Sequence, residues 1–353
     1  MNYKPPVTHV LPLTTIHREW VLPTPGTIIV RVNEQVYPHD IVAEAERPVR
    51  HVILDVARAL NVPADLVSRH LLCEVGDRLT AGDRIAMGKG WLKRTVRAPD
   101  NGRVVAISEG RVLFEVLGKP YELQAHFPCT VVDTDGVQKV TVETTGSLIQ
   151  GVWGNGKRDF GVLKMVAGGA GGLMTPDVLD IDLRGCVLVA GSCNQAAPLH
   201  QATELNVRGL ILGGLSAGLI SVARRLDYPL LVLEGFGEFA INQAAYELLK
   251  SNEGKEASLD GTPPQSYGYQ RPEIIIPISS TRFQDIPEEV VPLSPGVRVR
   301  VVRQPHMGDV GVVRELLTRA VSYPNGNIAR SARLDLEGAG SVSVPLANIE
   351  VIQ

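Results

Sequence analysis

The chain has 353 residues, 44% of them hydrophobic and 21% charged, with a formal net charge of -3. That length exceeds what one hydrophobic core usually holds, so two or three domains are expected. The near-neutral balance excludes a global basic field for nucleic acid and an acidic, disordered tail. Cys73, Cys129, Cys186 and Cys193 form no CxxC pair, and "MNYKPPVTHVLPL" lacks a charged region followed by an apolar core and a cleavage site, so the expectation is a reduced, cytoplasmic protein. The longest apolar stretch, Gly209 to Ala223, falls short of the ~20 residues of a membrane helix and is broken by glycine and serine. It is assigned to a core, and no membrane partner is expected.

In chain order, residues 1–22 read as an N-terminal arm. A first unit, 23–135, opens with "TIIVRVNEQVYPHDIVAEAE", where β-branched and polar residues alternate around a turn, which predicts a hairpin. The pattern returns in "GDRLTAGDRIA" and "VRAPDNGRVVAISEGRVLFEVL", with turn signals at Ala81-Gly82-Asp83 and Pro99-Asp100-Asn101-Gly102. Two similar halves predict a pseudo-symmetric sandwich. Between them, 50–72 reads as a helical insert: Ile53, Val56, Ala57 and Leu60 keep helical spacing, and Pro63 suits the start of a second short helix.

Residues 136–182 read as connecting strands and loop. From 183 to 286 the period changes: apolar runs "CVLVA", "RGLILGG", "PLLVLE" and "EIIIPI" alternate with helical segments "AAPLHQATELN", "SAGLISVARRLD" and "FAINQAAYELLK", which predicts an α/β domain on a parallel sheet. The polar stretch "NEGKEASLDGTPPQSYGYQRP" reads as a surface excursion. Residues 287–353 carry short alternating strands without helical spacing, which predicts a small closed barrel. The fold class is therefore multidomain, α/β plus β.

The N-terminal "GDRLTAGDRIA" followed by "APDNGRVV" resembles the barrel-sandwich hybrid of biotinyl, lipoyl and related non-carrier domains. Carrier members hold a modified lysine at a hairpin apex, flanked by methionines in biotinyl domains. The apex here reads "GKGWLKR", with Lys89 and Lys93 around Trp91 and no Met-Lys-Met, so no biotin or lipoyl cofactor is expected and both lysines read as solvated charges. The segment "VRVVRQPHMGDVGVV", with Pro305, Gly308 and Gly311 at its turn, together with "ARLDLEGAGSVSVPLANIEVI", resembles a KOW-type, SH3-like barrel of transcription elongation factors and ribosomal proteins. The whole order, through "ILDVARAL", "EGFGE", "AYELLKSNEGKEASLDG" and "RPEIIIP", resembles a family of bacterial proteins that join these three parts. That resemblance implies the domain order and no activity.

Three sets of residues are candidates for function. Glycine-rich turns at the C-terminal ends of the α/β strands place Ser192, Gly213, Gly214, Ser216, Glu234, Gly235 and Gly237 where an open parallel sheet usually holds a small anionic ligand, although none fits a dinucleotide or P-loop spacing. The plainer reading is that the same glycines serve only tight strand-to-helix turns. In the barrel, seven arginines between 296 and 333 face only Asp309 and Glu315, and Arg298, Arg300, Arg303, Arg330 and Arg333 are candidates for a phosphate-binding face toward RNA or the ribosome. Catalytic candidates are sparse: Cys193 with His200 as a nucleophile and base, or Glu234 with Glu238 as an acid/base pair, against the plainer readings of a buried cysteine and helix-start carboxylates. No metal motif occurs. The leading expectation is a non-catalytic cytoplasmic adaptor or binding protein working through protein contacts. The alternatives are an enzyme or sensor with a small anion at the glycine turns, and an RNA- or ribosome-associated factor.

Overall fold

A computed structural model describes residues 5, 7–88, 94–263, 271–278 and 291–352. Lys89, Trp91 and Lys93 lie outside the described residues, and so does the carrier question. The chain is mostly strand, arranged in several sheets with few and short helices. No helix among the described residues is long and apolar enough to cross a membrane.

The hub is a 12-residue strand, Lys139–Gln150. Its first half, "KVTVETT", alternates inward Val140, Val142 and Thr144 with the more exposed Thr141, Glu143 and Thr145, as a half-buried strand should, and its second half, "GSLIQ", is buried throughout. Along one edge it pairs antiparallel with Val10–Val21. Along the other it pairs first with Cys129–Thr134 and then with Glu273–Pro277. Gly146 sits at that change of partner, where a Cβ would lie 2.3 Å from the Ile276 carbonyl oxygen, so only glycine admits the approach. Of the expected arm, the described strands are not free of the body. Val10–Val21 is paired along the hub, and Val7–Thr8 adds in parallel to the C-terminal strand Ile349–Ile352.

From the hub the sheet continues through Glu273–Pro277, Glu256–Asp260 and Arg158–Met165, all antiparallel, and then through the parallel strands Cys186–Cys193, Gly209–Leu215 and Leu230–Phe236. Trp153–Gly154 closes that end antiparallel. The three expected parallel strands fall where their apolar runs lie. The expected boundary at 183 does not match, because Arg158–Met165 runs parallel beside Cys186–Cys193 in the same sheet. The "EIIIPI" strand joins antiparallel, and the polar excursion holds a strand, Glu256–Asp260, that buries Ala257 and Leu259 completely. Its apolar positions are too few to outweigh the polar composition around them. Helices Ala196–Glu204 and Gln243–Ser251 cover the sheet, whereas "SAGLISVARRLD" forms only a 3-10 turn, Ala217–Leu219, and one helical turn, Ile220–Ala223.

In the N-terminal unit, Pro48–Asp55, Arg111–Leu117, Gly102–Ser108 and Arg78–Leu79 form a four-stranded sheet over a core that includes Leu60, Ile85, Val104, Val112 and Phe114. The expected hairpin is divided: Thr27–Ile28 pairs with Ile41–Ala45, while Gln35–Val36 pairs with Cys129–Thr134. The helical insert 50–72 is also corrected. Residues up to Asp55 are strand, and the helix is only Val56–Leu60, followed by a 3-10 helix, Ala64–Arg69. Asp55 is the N-cap, its carboxylate accepting from the Arg58 N–H at 3.0 Å. The helical spacing of Ile53 was fortuitous: Val52 and Leu54 pack on the core and Ile53 points outward, a period of two.

In the C-terminal unit, Arg298–Val301, Val310–Leu316, Ser331–Leu336 and Gly340–Pro345 form an antiparallel meander. A 3-10 turn, Leu346–Asn348, then leads into Ile349–Ile352, which returns against the first strand. Val299, Val301, Val313, Leu334, Leu336 and Val351 make a separate core.

Candidate functional site at the ends of the parallel strands

Three of the expected ligand residues stand in one row. Ser192 is in register with Gly214, and Gly214 with Gly235, across three parallel strands. The space beside this row is filled by the chain itself. A Cβ on Gly214 would lie 2.3 Å from the Gly237 carbonyl oxygen and 2.6 Å from the Phe239 nitrogen. One on Gly213 would lie 2.6 Å from the Ile241 nitrogen, and one on Gly191 2.4 Å from the Gly171 carbonyl carbon. Segment 237–241 and loop 168–174 therefore lie backbone against backbone on the strand ends. At Gly235 a Cβ would lie 3.0 Å from the Met307 Cε of the C-terminal unit. Ser192 is buried, and Ser216 precedes the 3-10 turn, half-buried. At Gly191, Gly213 and Gly214 the missing side chain makes room for backbone, whereas Gly235 and Gly237 face the side chains of Met307 and Phe239.

Glu234 is sealed into the same region. Its side chain is 4% exposed, and Oε1 accepts from the Asn242 N–H at 3.0 Å and from Asn242 Nδ2 at 2.6 Å. Asn242 in turn caps the helix Gln243–Ser251 by accepting from the Ala245 N–H at 2.9 Å. The other carboxylate oxygen, Oε2, receives Arg300 Nη1 at 2.5 Å. Arg300 also donates Nη2 to Glu350 Oε2 at 2.7 Å, and Glu350 Oε1 is shared by Arg271 Nη1 and the Thr8 hydroxyl. Two arginines and two glutamates thus form a buried, charge-balanced chain. It joins the strand Leu230–Phe236, the barrel strands and the N-terminal strand Val7–Thr8. Burial alone would lower the Arg300 pKa, but Glu350 and Glu234 outweigh it and hold the guanidinium more firmly protonated than usual. Burial would likewise raise Glu350, yet Arg300 and Arg271 hold its carboxyl below the ordinary range.

Arg300 therefore leaves the expected arginine face. It does share the outward parity of Arg298, with Val299 and Val301 facing the barrel core. The central sheet covers the strand at Arg300 and leaves Arg298 exposed. Of the others, Arg303 and Arg330 are exposed, Arg298 lies 3.6 Å from Glu337, Arg314 lies 3.8 Å from Asp335, and Arg333 lies 2.8 Å from Glu315. Asp335 and Glu337 follow the arginine-rich window in sequence, and strand pairing brings them beside it.

The catalytic candidates do not converge. Cys193 is 1% exposed with Sγ 3.2 Å from the Gln195 carbonyl oxygen, and burial raises its thiol pKa, which disfavours the thiolate. His200 is exposed on the helix that follows. Glu238, also exposed, accepts from Asn194 Nδ2 at 2.9 Å, while Glu234 is committed to Arg300 and Asn242. Among the described residues, no group of three or more His, Cys, Asp or Glu side chains is placed to hold a metal ion.

Sequence reasoning missed Glu350, Arg271, Asn242 and Met307. Only Glu350 left a signal: it is a lone carboxylate inside the apolar run "IEVI", all four residues of which are buried. No protein-family model matches this chain, and no curated protein matches it in sequence.

Proposed function

We propose that this chain is a non-catalytic binding or adaptor protein of the cytoplasm, built from a barrel-sandwich hybrid, an α/β centre and a KOW-type, SH3-like barrel, as in the bacterial family it resembles. The observation that carries this reading is the filling of the parallel-strand ends by Gly171, Gly237, Phe239 and Met307, where a small-ligand site of an α/β domain ordinarily lies. The buried pairing of Glu234 and the dispersed positions of Cys193, His200 and Glu238 support it further. Four free, buried cysteines accord with a reducing compartment. The meander, the 3-10 turn and the return strand on Arg298–Val301 support the SH3-like assignment. Carboxylates beside Arg298, Arg314 and Arg333 reduce the positive field that RNA phosphates would require.

The test is thermal unfolding of the full chain with a panel of phosphorylated and carboxylated metabolites. A ligand present at 100 times its Kd stabilises the native state by about 2.7 kcal/mol. The expected result is no saturable rise in Tm. A rise that Ser192→Trp abolishes would replace the adaptor reading with a ligand site at the strand ends.

A further inference from the structure

The segments 31–45, "RVNEQVYPHDIVAEA", and 74–88, "EVGDRLTAGDRIAMG", make the same bonds at equivalent positions. The carboxylates of Glu34 and Asp40 each accept from the N–H three residues earlier, that of Arg31 at 2.8 Å and that of Tyr37 at 2.7 Å. Asp77 and Asp83 do the same with Glu74 and Thr80, both at 2.7 Å. Asn33 and Gly76 both have positive φ, 69° and 98°, and donate their N–H groups to the carbonyls of Val131 and Val104. Ile28 faces Ala43 as Leu71 faces Ala86. Ala43 is in register with Leu123 as Ala86 is with Val96, and both ladders slip at the next pair, Ile41 with Gln124 and Arg84 with Arg97. The remaining strands follow suit. Val10–Val21, Lys139–Gln150, Cys129–Thr134 and Gln35–Val36 lie side by side in that order, antiparallel at every step. Pro48–Asp55, Arg111–Leu117, Gly102–Ser108 and Arg78–Leu79 repeat the arrangement. One fold is therefore present twice.

The two copies are nested. In the second, the hairpin reaches Gly88, whose N–H donates to the Arg94 carbonyl at 2.9 Å, and residues 89–93 connect the two. The equivalent pair in the first is Ala45 with Tyr121, and between these lies the whole second copy. Their cores share no residue: Ile16, Val42, Leu123, Val131 and Val142 belong to one, and Val56, Ile85, Val104, Val112 and Phe114 to the other. Residues 47–50 and 118–122, where the two chain segments pass between the copies, are all exposed. The Gly118 N–H donates to the Arg47 carbonyl at 3.0 Å across this joint. Glu46, whose carbonyl accepts from the Thr24 hydroxyl of the first copy at 3.4 Å, reaches over it to ion-pair with Arg78 and, at 3.6 Å, Arg103. Such surface pairs are screened by salt and hold weakly. The barrel is attached differently, through the buried chain of Arg300, Glu234 and Glu350.

We propose that residues 47–118 are a self-contained domain that swings as a rigid body on this two-chain joint, with Glu46 as a weak latch to Arg78 and Arg103. A separate core keeps the domain intact while the joint bends, and a solvated joint leaves few contacts to break. The second copy then meets a partner over a range of angles while the barrel keeps its place on the central sheet. This inference does not rest on the adaptor reading, and either can fail alone.

Residual dipolar couplings of the full, isotope-labelled chain in a dilute alignment medium test it, because they average over the microsecond-to-millisecond hinge motions of domains. Amides of 48–117 and amides of the central sheet should require two alignment tensors, the first smaller in magnitude. Glu46→Gln, which removes the latch, should shrink the first tensor further and leave the second unchanged. In urea, Phe114→Ala should lower the concentration at which the native signals of 48–117 disappear, while those of Leu188, Leu210 and Leu231 keep their midpoint. A single tensor for both regions of the wild-type chain, a Glu46→Gln tensor equal to the wild-type one, or a shared drop of both midpoints in Phe114→Ala would overturn the proposal.

Discussion

The ends of the parallel strands and the outer edge of Pro48–Asp55 are opposites. At the strand ends, small residues let the chain fold back on itself until the space is filled, and the remaining polar groups are matched: Glu234 with Arg300 and Asn242, and Arg300 with Glu350. At the edge strand, no described residue pairs with the outer side of His51 and Ile53, and two large apolar side chains, Val49 and Ile53, face solvent. Glycine-rich loops in an α/β sheet invite a search for a ligand, while an apolar strand in a surface unit attracts little notice. Here the first region is closed and the second is open. The comparison teaches that openness is decided by what packs on a segment, and that glycine at the strand ends is what lets the chain pack there.

The largest effect that would sharpen this contrast comes from Arg300. Replacing it with Met leaves two buried carboxylates without their shared cation and is expected to cost about 3–5 kcal/mol in urea unfolding. Arg298→Gln, two residues away on the same face, should change stability by no more than about 0.5 kcal/mol. Similar losses in the two variants would mean that the central sheet does not cover Arg300.

Next in size is the crowding at Gly214. Gly214→Ala places a Cβ 2.3 Å from a carbonyl oxygen and should destabilise by about 1–3 kcal/mol, because backbone must move to admit it. Gly218→Ala has open space around its Cβ and should be neutral or stabilising by up to about 1 kcal/mol. A neutral Gly214→Ala would reopen the strand ends as a place for a ligand.

The smallest effect concerns pH. His9 lies 4% exposed where the N-terminal strands cross between the central sheet and the barrel; burial first, and then the cations of Arg18 and Arg271, lower its pKa from 6.5 to about 4. Between those values the unfolded chain binds a proton that the native state refuses, so stability should fall as pH drops from about 6.5 toward about 4 and should be unaffected by this group above that window. Glu350, whose folded pKa is lowered, stabilises above its ordinary value of 4.5, and that contribution is lost at lower pH as the carboxyl protonates. Urea midpoints at pH 7 and pH 5 should therefore differ more in the wild type than in His9→Gln. Equal slopes would exclude a neutral, buried His9.

Much of the architecture was legible in the chain. Apolar runs rich in Leu, Val and Ile placed the parallel strands at Cys186–Cys193, Gly209–Leu215 and Leu230–Phe236, because a strand covered on both faces is apolar along most of its length, with Ser192 and Glu234 only near the C-terminal ends. Alternation at Arg298–Val301 gave the side of the barrel on which each arginine lies. Less was legible where local patterns were ambiguous: Ile53 fitted a helical spacing and a strand parity at once, and Glu256–Asp260 buries only a few apolar groups within a polar stretch. Strand periodicity, turn chemistry and the absence of metal or phosphate motifs are properties of neighbouring residues, and the sequence determined them by itself. Which face of a strand another unit covers depends on residues far apart in the chain, as with Arg300 beside Glu234, Met307 against Gly235 and Thr8 beside Glu350. Only the tertiary structure could decide those, because burial and the pairing of charge are set by contacts between segments that no local period encodes.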